Sequence, residues 1–192
     1  MKLFADLLHP TDQSRILDVG GTEYNWQFLD TRPEVTLLNI DIQKNEKKGR
    51  FTYIKGDGRK IPYLNKTFDI VYSNSVIEHV GTLEDQRIFA AEVARVGKSY
   101  FVQTPNKDFF FEPHLLTPFI HFLPRSSQLR LARRFTLWGL ITKPSPLMVR
   151  DMIENTNLLN EDELRTLFPN AKLVSERFLG FSKSLLAYSV SD

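Results

Sequence analysis

Short apolar runs, bounded by glycine, proline and polar clusters, recur along the chain. Ile16, Leu17 and Val19 make the first, Val35 to Ile40 the second, Phe51 to Lys55 the third, Phe68 to Tyr72 the fourth and Ser99 to Gln103 the fifth. Near-continuous runs of this kind mark strands buried on both faces of a parallel sheet. Lys172–Leu179 and Ser184–Val190 read as two more strands, joined by Gly180-Phe181-Ser182-Lys183. A terminal hairpin makes the last strand antiparallel.

Helical spacing fills the intervals. Leu3, Phe4, Leu7 and Leu8 predict one or two amphipathic turns within residues 1–14, ended by His9-Pro10. Asn25 to Asp30 predict a short crossover helix, stopped before Pro33. Leu83 to Val96 predict a clear helix with Leu83, Ile88, Ala91 and Val93 near one face and Gly97 as its stop. Asn160 and Glu163 form a capping box for a helix running to Phe168 before Pro169. Alternating strands and helices predict an α/β domain with a sheet of seven strands and helices on both faces.

Composition narrows the class. The 192 residues suit one domain spanning residues 1–192, and 42% hydrophobic with 25% charged residues is ordinary for a soluble protein. A net charge of +2 makes no case for a nucleic-acid partner. The chain has no cysteine, which excludes disulfides and thiolate metal sites and is compatible with the cytoplasmic location expected for it. The opening residues carry too short an apolar run for a signal peptide. No window approaches the ~20 apolar residues that span a bilayer.

Candidate chemistry collects at the carboxyl ends of the strands. The first run continues into Gly20-Gly21, where the backbone can turn sharply and a ligand can come close. Asp18 stands two residues before that turn. The second strand ends on Asp41, 21 residues beyond Gly20, where a carboxylate can accept bonds from both hydroxyls of a ribose. After the third strand, Asp57 in Gly56-Asp57-Gly58-Arg59 is placed to bond an adenine amine, or simply to form the turn. Neither glycine register completes G-x-G-x-x-G, no phosphate-cradling loop occurs, and Glu23 stands where a pyrophosphate would need a clear helix N-terminus. A nucleoside cofactor without phosphate fits better, and S-adenosylmethionine is one.

The turn Leu17-Asp18-Val19-Gly20-Gly21-Thr22, taken with Asp41, resembles the first two motifs of class I S-adenosylmethionine-dependent methyltransferases. Thr22 and Tyr24 stand where that family often has glycine. The stretch Ile61-Pro62-Tyr63 to Phe68-Asp69-Ile70-Val71 and on through Ile77-Glu78-His79-Val80 strongly resembles the type 11 small-molecule methyltransferases. Thr104-Pro105-Asn106 is a family variant as well. The resemblance covers residues 15–106 well and implies the Rossmann-like class I methyltransferase fold. It implies S-adenosyl-L-methionine as cofactor, with Asp18, Gly20, Gly21 and Thr22 around its methionine portion, Asp41 and Ile42 at the ribose and Asp57 and Gly58 at the adenine. The backbone of Ser73 and Asn74 would hold the amino acid end, and the Ser75–His79 region would face the transfer zone. The implied function is methyl transfer to a small-molecule, saccharide or lipid-linked acceptor. The alternative is a methyltransferase-like protein that binds cofactor or partner without turnover.

Residues 107–150 fit no strand–helix alternation and are expected to form a helical cap inserted after the fifth strand, where this family commonly carries acceptor specificity. Apolar 115–123 followed by Arg125, Arg130, Arg133 and Arg134 suggests peripheral membrane contact through 115–134, or the solvated face of an amphipathic helix. A hydroxyl acceptor would need a base, for which His79 and His114 are the candidates; His79 could instead anchor the start of a helix. His9 and His121 read as surface or packing residues. His114 and His121, with Pro118 between them, have poor metal-ligand spacing, so no metal site is expected.

Overall fold

The computed structural model describes residues 1–191. Five strands form the parallel heart of the main sheet: β1 (Arg15–Val19), β2 (Glu34–Asn39), β4 (Phe51–Lys55), β5 (Phe68–Asn74) and β6 (Gly97–Pro105). A short strand β3 (Glu46–Lys48) borders β4, and the hairpin of β9 (Lys172–Phe178) and β10 (Phe181–Ser189) closes the other side. The order is β3-β4-β2-β1-β5-β6-β10-β9, with β10 antiparallel to β6. The α/β expectation with its antiparallel terminal strand holds. The sheet has eight strands where the sequence predicts seven, because β3 pairs antiparallel with β4. Glu46-Lys47-Lys48 is exposed and carries no apolar side chain, so it has no pattern to read.

The terminal hairpin turns on Leu179 and Gly180, both left-handed, so β10 begins at Phe181 rather than Ser184. This two-residue turn matches strand twist. A register shift between Ser182 and Ser184 absorbs the residues the sequence assigns to a longer loop.

Alternation along the strands divides the core between the two sheet faces. Ile16, Val35, Leu37, Ile70, Tyr72 and Phe101 pack with Phe4 and Leu8 of helix α1 (Lys2–Leu8) and with Trp26. Leu17, Val19, Leu38, Val71, Tyr100 and Val102 pack with helix α2 (Leu83–Val96) and with Leu164 and Leu167 of helix α6 (Glu161–Leu167). The buried face of α2 is Gln86, Phe89, Ala90, Val93 and Val96, whereas Leu83 and Ile88 are exposed. On a 100° helical wheel those five positions fall within one half-turn, and the predicted set is offset from it. Capping boxes start α2 (Thr82 with Asp85) and α6 (Asn160 with Glu163). The crossover expected at 25–30 is a 3-10 turn over Glu23–Phe28, capped by Thr22.

The insert opens with a two-stranded ribbon, β7 (Phe111–Glu112) and β8 (Thr117–Pro118). Three helices follow: α3 (Arg125–Phe135), α4 (Leu137–Thr142) and α5 (Pro146–Glu154). The last of them carries the insert past residue 150. Leu115, Ile120, Ala132, Val149 and Ile153 give it a small core of its own.

Candidate active site

Because β1, β2, β4 and β5 run parallel, their carboxyl ends reach one edge of the sheet. There they enclose a cavity of about 520 Å³. Gly20, Asp41, Asp57 and Gly58 all line it, so four of the residues picked from sequence converge. Gly20 is left-handed, with φ at +82°, and a Cβ on it would stand 2.6 Å from Cγ2 of Val76. The carboxylate of Asp41 has no side-chain partner among the described residues; only its main chain bonds, to Asn39 and Gln43. Asp57 is different. Arg59 grips its carboxylate through Nε and Nη2, at 3.0 and 2.7 Å to Oδ2, and donates its backbone N–H to Oδ1 at 2.8 Å. Those bonds hold the Asp57 carboxyl below the ordinary range. Asp57 therefore forms the turn and lines the cavity at once.

The remaining picks are placed otherwise. Gly21, Thr22 and Ile42 line a separate groove of about 410 Å³ that shares Asp41 with the main cavity. Asn74 is not among the residues lining either. Asp18 and Ser73 are wholly buried. Asp18 alternates with Leu17 and Val19 onto the opposite face of the sheet, beneath Trp26, whose Nε1 donates to Oδ2 at 2.8 Å. Oδ1 of the same carboxylate is buried with no partner. Burial pushes the Asp18 carboxyl up to about 7, although the Trp26 bond pulls the other way. A Cβ on Gly21 would fall 2.1 Å from Asp18 Oδ2, so this glycine makes room for the carboxylate. Ser73 spends its hydroxyl on Val19 O at 3.1 Å.

A second cavity, of about 770 Å³, lies between the insert and the body, and Glu112, His114, Gln128 and Met152 are among its lining residues. His79 lines the first cavity and His114 the second, and their Nε2 atoms are 3.2 Å apart. The two chambers meet at this histidine pair. Nδ1 of His114 lies 2.7 Å from Glu112 Oε1, while Oε2 of that buried carboxylate accepts the Leu115 N–H. Burial opposes charge on His114, yet the hydrogen bond and charge of Glu112 prevail and raise it. His79 is lowered by burial and by its neighbour His114.

Beside them Glu78 is wholly buried. Its Oε2 accepts the Thr104 hydroxyl at 2.9 Å, and Oε1 is buried without a hydrogen-bond partner, 3.9 Å from His114 Nε2. Burial raises its carboxyl above the usual range. Thr104, near the end of β6, thus ties that strand to the site. The resemblance sets the Ser75–His79 region at the transfer zone without singling out Ser75, which lines the first cavity in a left-handed conformation, φ 55°, or Glu78, and sequence reasoning missed Glu112. One signal was present: each of the paired histidines has a glutamate within two residues.

Residues 17–100 match the model of the family described as Methyltransferase domain. Among solved structures, the chain resembles the putative methyltransferase complexed with the Haloferax volcanii Trm112 methyltransferase activator, with a TM-score of 0.61 and 12% identity over 99% of this chain and 88% of that one. A SAM-dependent methyltransferase from Aquifex aeolicus gives 0.56 and 11% over 97% and 86%. A protein described as a putative Zn-dependent alcohol dehydrogenase from Rhodobacter sphaeroides gives 0.61 and 14% over 100% and 88%. Such identities show a shared fold. A search of the curated proteins finds no match.

Proposed function

We propose that this chain is a class I methyltransferase that binds S-adenosylmethionine at the strand edge and transfers its methyl group to an acceptor in the adjoining cavity; the shared fold and the family match over residues 17–100 support the reading. The observation that carries the reading is the meeting of two chambers at His79 and His114, one of nucleoside size and the other walled by the insert. The residues present fit the cofactor: Asp41 offers an unengaged carboxylate, and no phosphate-binding element lines the rim. Bound there, S-adenosylmethionine supplies an electrophilic methyl group on a sulfonium. Asp41 would accept bonds from the ribose hydroxyls. Gly20, held by its N–H to Leu38 O at 2.8 Å, lets the ligand approach the backbone. The protein's work is alignment and exclusion of water, which can supply several kcal/mol.

Asp41→Ala should weaken cofactor binding by about 1.5–3 kcal/mol through lost charge-assisted bonds. Titration calorimetry with S-adenosylmethionine and with its demethylated product checks this, and an unchanged affinity would reject the ribose assignment. A methyl-release assay against pooled acceptors separates turnover from binding alone. An oxidoreductase would instead titrate with a nicotinamide dinucleotide.

For the acceptor, one observation favours the lipid-linked class. Phe135, Ile141 and Leu147, all in or beside the insert's helices, are 69%, 70% and 76% exposed, and Arg133, Arg134, Lys143 and Arg150 lie among them in sequence. Within 115–134, Leu115 and Ile120 turn into the insert's core, whereas Phe119 and Phe122 are exposed and could share in such contact. No helix of the described residues is long and apolar enough to cross a membrane. Exposed apolar side chains interleaved with cations suit an anionic lipid surface. The chain should co-sediment with phosphatidylserine-containing vesicles, and Ile141→Glu with Leu147→Glu should abolish it. Failure of the wild-type chain to sediment, or sedimentation indifferent to both changes, would remove this reading.

A further inference from the structure

The meeting point of the two cavities has the make-up of a metal centre. Spacing along the chain argues against one, since His114 and His121 are badly set. The fold, however, brings His114 to His79 across 35 residues of sequence. One oxygen of Glu78 and one ring nitrogen each of His79 and His114 all lie within 4.8 Å of one another.

Three features distinguish this cluster from a chance contact. The first is separation. An ion about 2.0–2.1 Å from two imidazole nitrogens sets them roughly 2.8–3.4 Å apart between octahedral and tetrahedral angles. The Nε2 atoms of His79 and His114 stand 3.2 Å apart. The second is the use of protons. His114 turns Nδ1 to Glu112 Oε1 at 2.7 Å. A neutral imidazole has a single N–H. With that N–H turned to Glu112, the Nε2 of a neutral His114 presents a lone pair toward His79, the form in which an imidazole binds a cation in place of a proton. A carboxylate behind a histidine, as Glu112 stands behind His114, is also how ligating imidazoles are oriented in metal sites.

The third feature is Glu78. A wholly buried carboxylate with one oxygen bonded to Thr104 and the other unpartnered is costly without a counter-charge. That free oxygen points to the pair, 3.9 Å from His114 Nε2. A small side-chain rotation brings it into a coordination shell.

We infer that Glu78, His79 and His114 bind one divalent first-row transition-metal ion, with Glu112 orienting His114 from behind. Two imidazoles and one carboxylate, without thiolate, suit zinc, iron(II) or cobalt(II), and such three-ligand sets keep positions open. The open side borders the cavity under the insert, so an oxygen of the acceptor can complete the shell. That last clause rests on the proposed function; the metal site does not.

The test uses the full chain without an affinity tag, stripped with a chelator and titrated with cobalt(II) and with zinc. One equivalent of cobalt should bind and give visible absorption bands, and zinc should displace it. His79→Ala, His114→Ala and Glu78→Gln should each weaken binding at least tenfold, while His9→Ala leaves it unchanged. Glu112→Gln should cost about 10–100-fold, as oriented carboxylates behind a ligand do. Glu78→Gln keeps side-chain volume and an acceptor for Thr104, so it reads the ligand role should a histidine variant fail to fold. Binding should also weaken as the medium is acidified, because protons compete for the imidazoles. Absence of a stoichiometric site, or a site indifferent to Glu78→Gln, would overturn the inference. Cofactor titration runs separately: metal without cofactor binding would sink the methyltransferase reading alone, and the converse would sink the metal alone.

Discussion

Asp18→Asn is expected to stabilise the protein above neutral pH and to flatten its stability profile below it. The carboxyl of Asp18 is wholly buried, and its folded value is raised from 3.8 to about 7. The folded state therefore holds this proton more tightly than the unfolded chain does. The contribution is complete below about pH 4, is lost as pH rises through about 7, and stays lost above that, to a total of about 4 kcal/mol. Asparagine keeps an oxygen to accept the Trp26 Nε1 bond and never ionises. It leaves an amide N–H where the unpartnered Oδ1 now lies, which costs about 1–3 kcal/mol. The net gain near pH 8 should then be about 1–3 kcal/mol. Urea unfolding of both proteins between pH 4 and about pH 8 gives the difference directly, and other titrating groups cancel in the subtraction. Parallel profiles would show that Asp18 ionises as an ordinary carboxylate.

That same residue shows why part of the site was legible in the sequence and part was not. Apolar runs located β1, β2, β4, β5 and β6, because strands buried on both faces must be apolar throughout. The ends of those strands then fixed Gly20, Asp41, Asp57 and Gly58 at one edge. Which way a side chain turns at a strand's end depends on the pleat and on what lies across the sheet. Asp18 fits the family motif, yet it alternates onto the Trp26 side, and Ser73 turns inward to Val19. The edge strand Glu46–Lys48 has no apolar side chain and forms only because β4 offers it hydrogen bonds. The centre at Glu78, His79 and His114 depends on an insert folding back over the sheet, a contact that no local period encodes.

Gly20→Ala tests the geometry of the rim and should be among the most damaging single changes. Two costs add at this position. Its φ of +82° is left-handed, where an L side chain loses about 1–2 kcal/mol. The new Cβ would also lie 2.6 and 2.7 Å from the two γ-carbons of Val76, and such overpacking costs about 1–3 kcal/mol. A destabilisation of about 2–5 kcal/mol is expected, together with a loss of cofactor affinity, because Gly20 and Val76 both line the nucleoside-sized cavity. Val76→Ala separates the two costs, since it removes both γ-carbons and leaves the backbone strain. Combined with Gly20→Ala it should recover the packing share, giving a coupling energy of about 1–3 kcal/mol in a double-mutant cycle. A Gly20→Ala protein as stable as the wild type would mean that the turn after β1 relaxes freely, and with it would go the close approach of backbone to ligand on which the site is built.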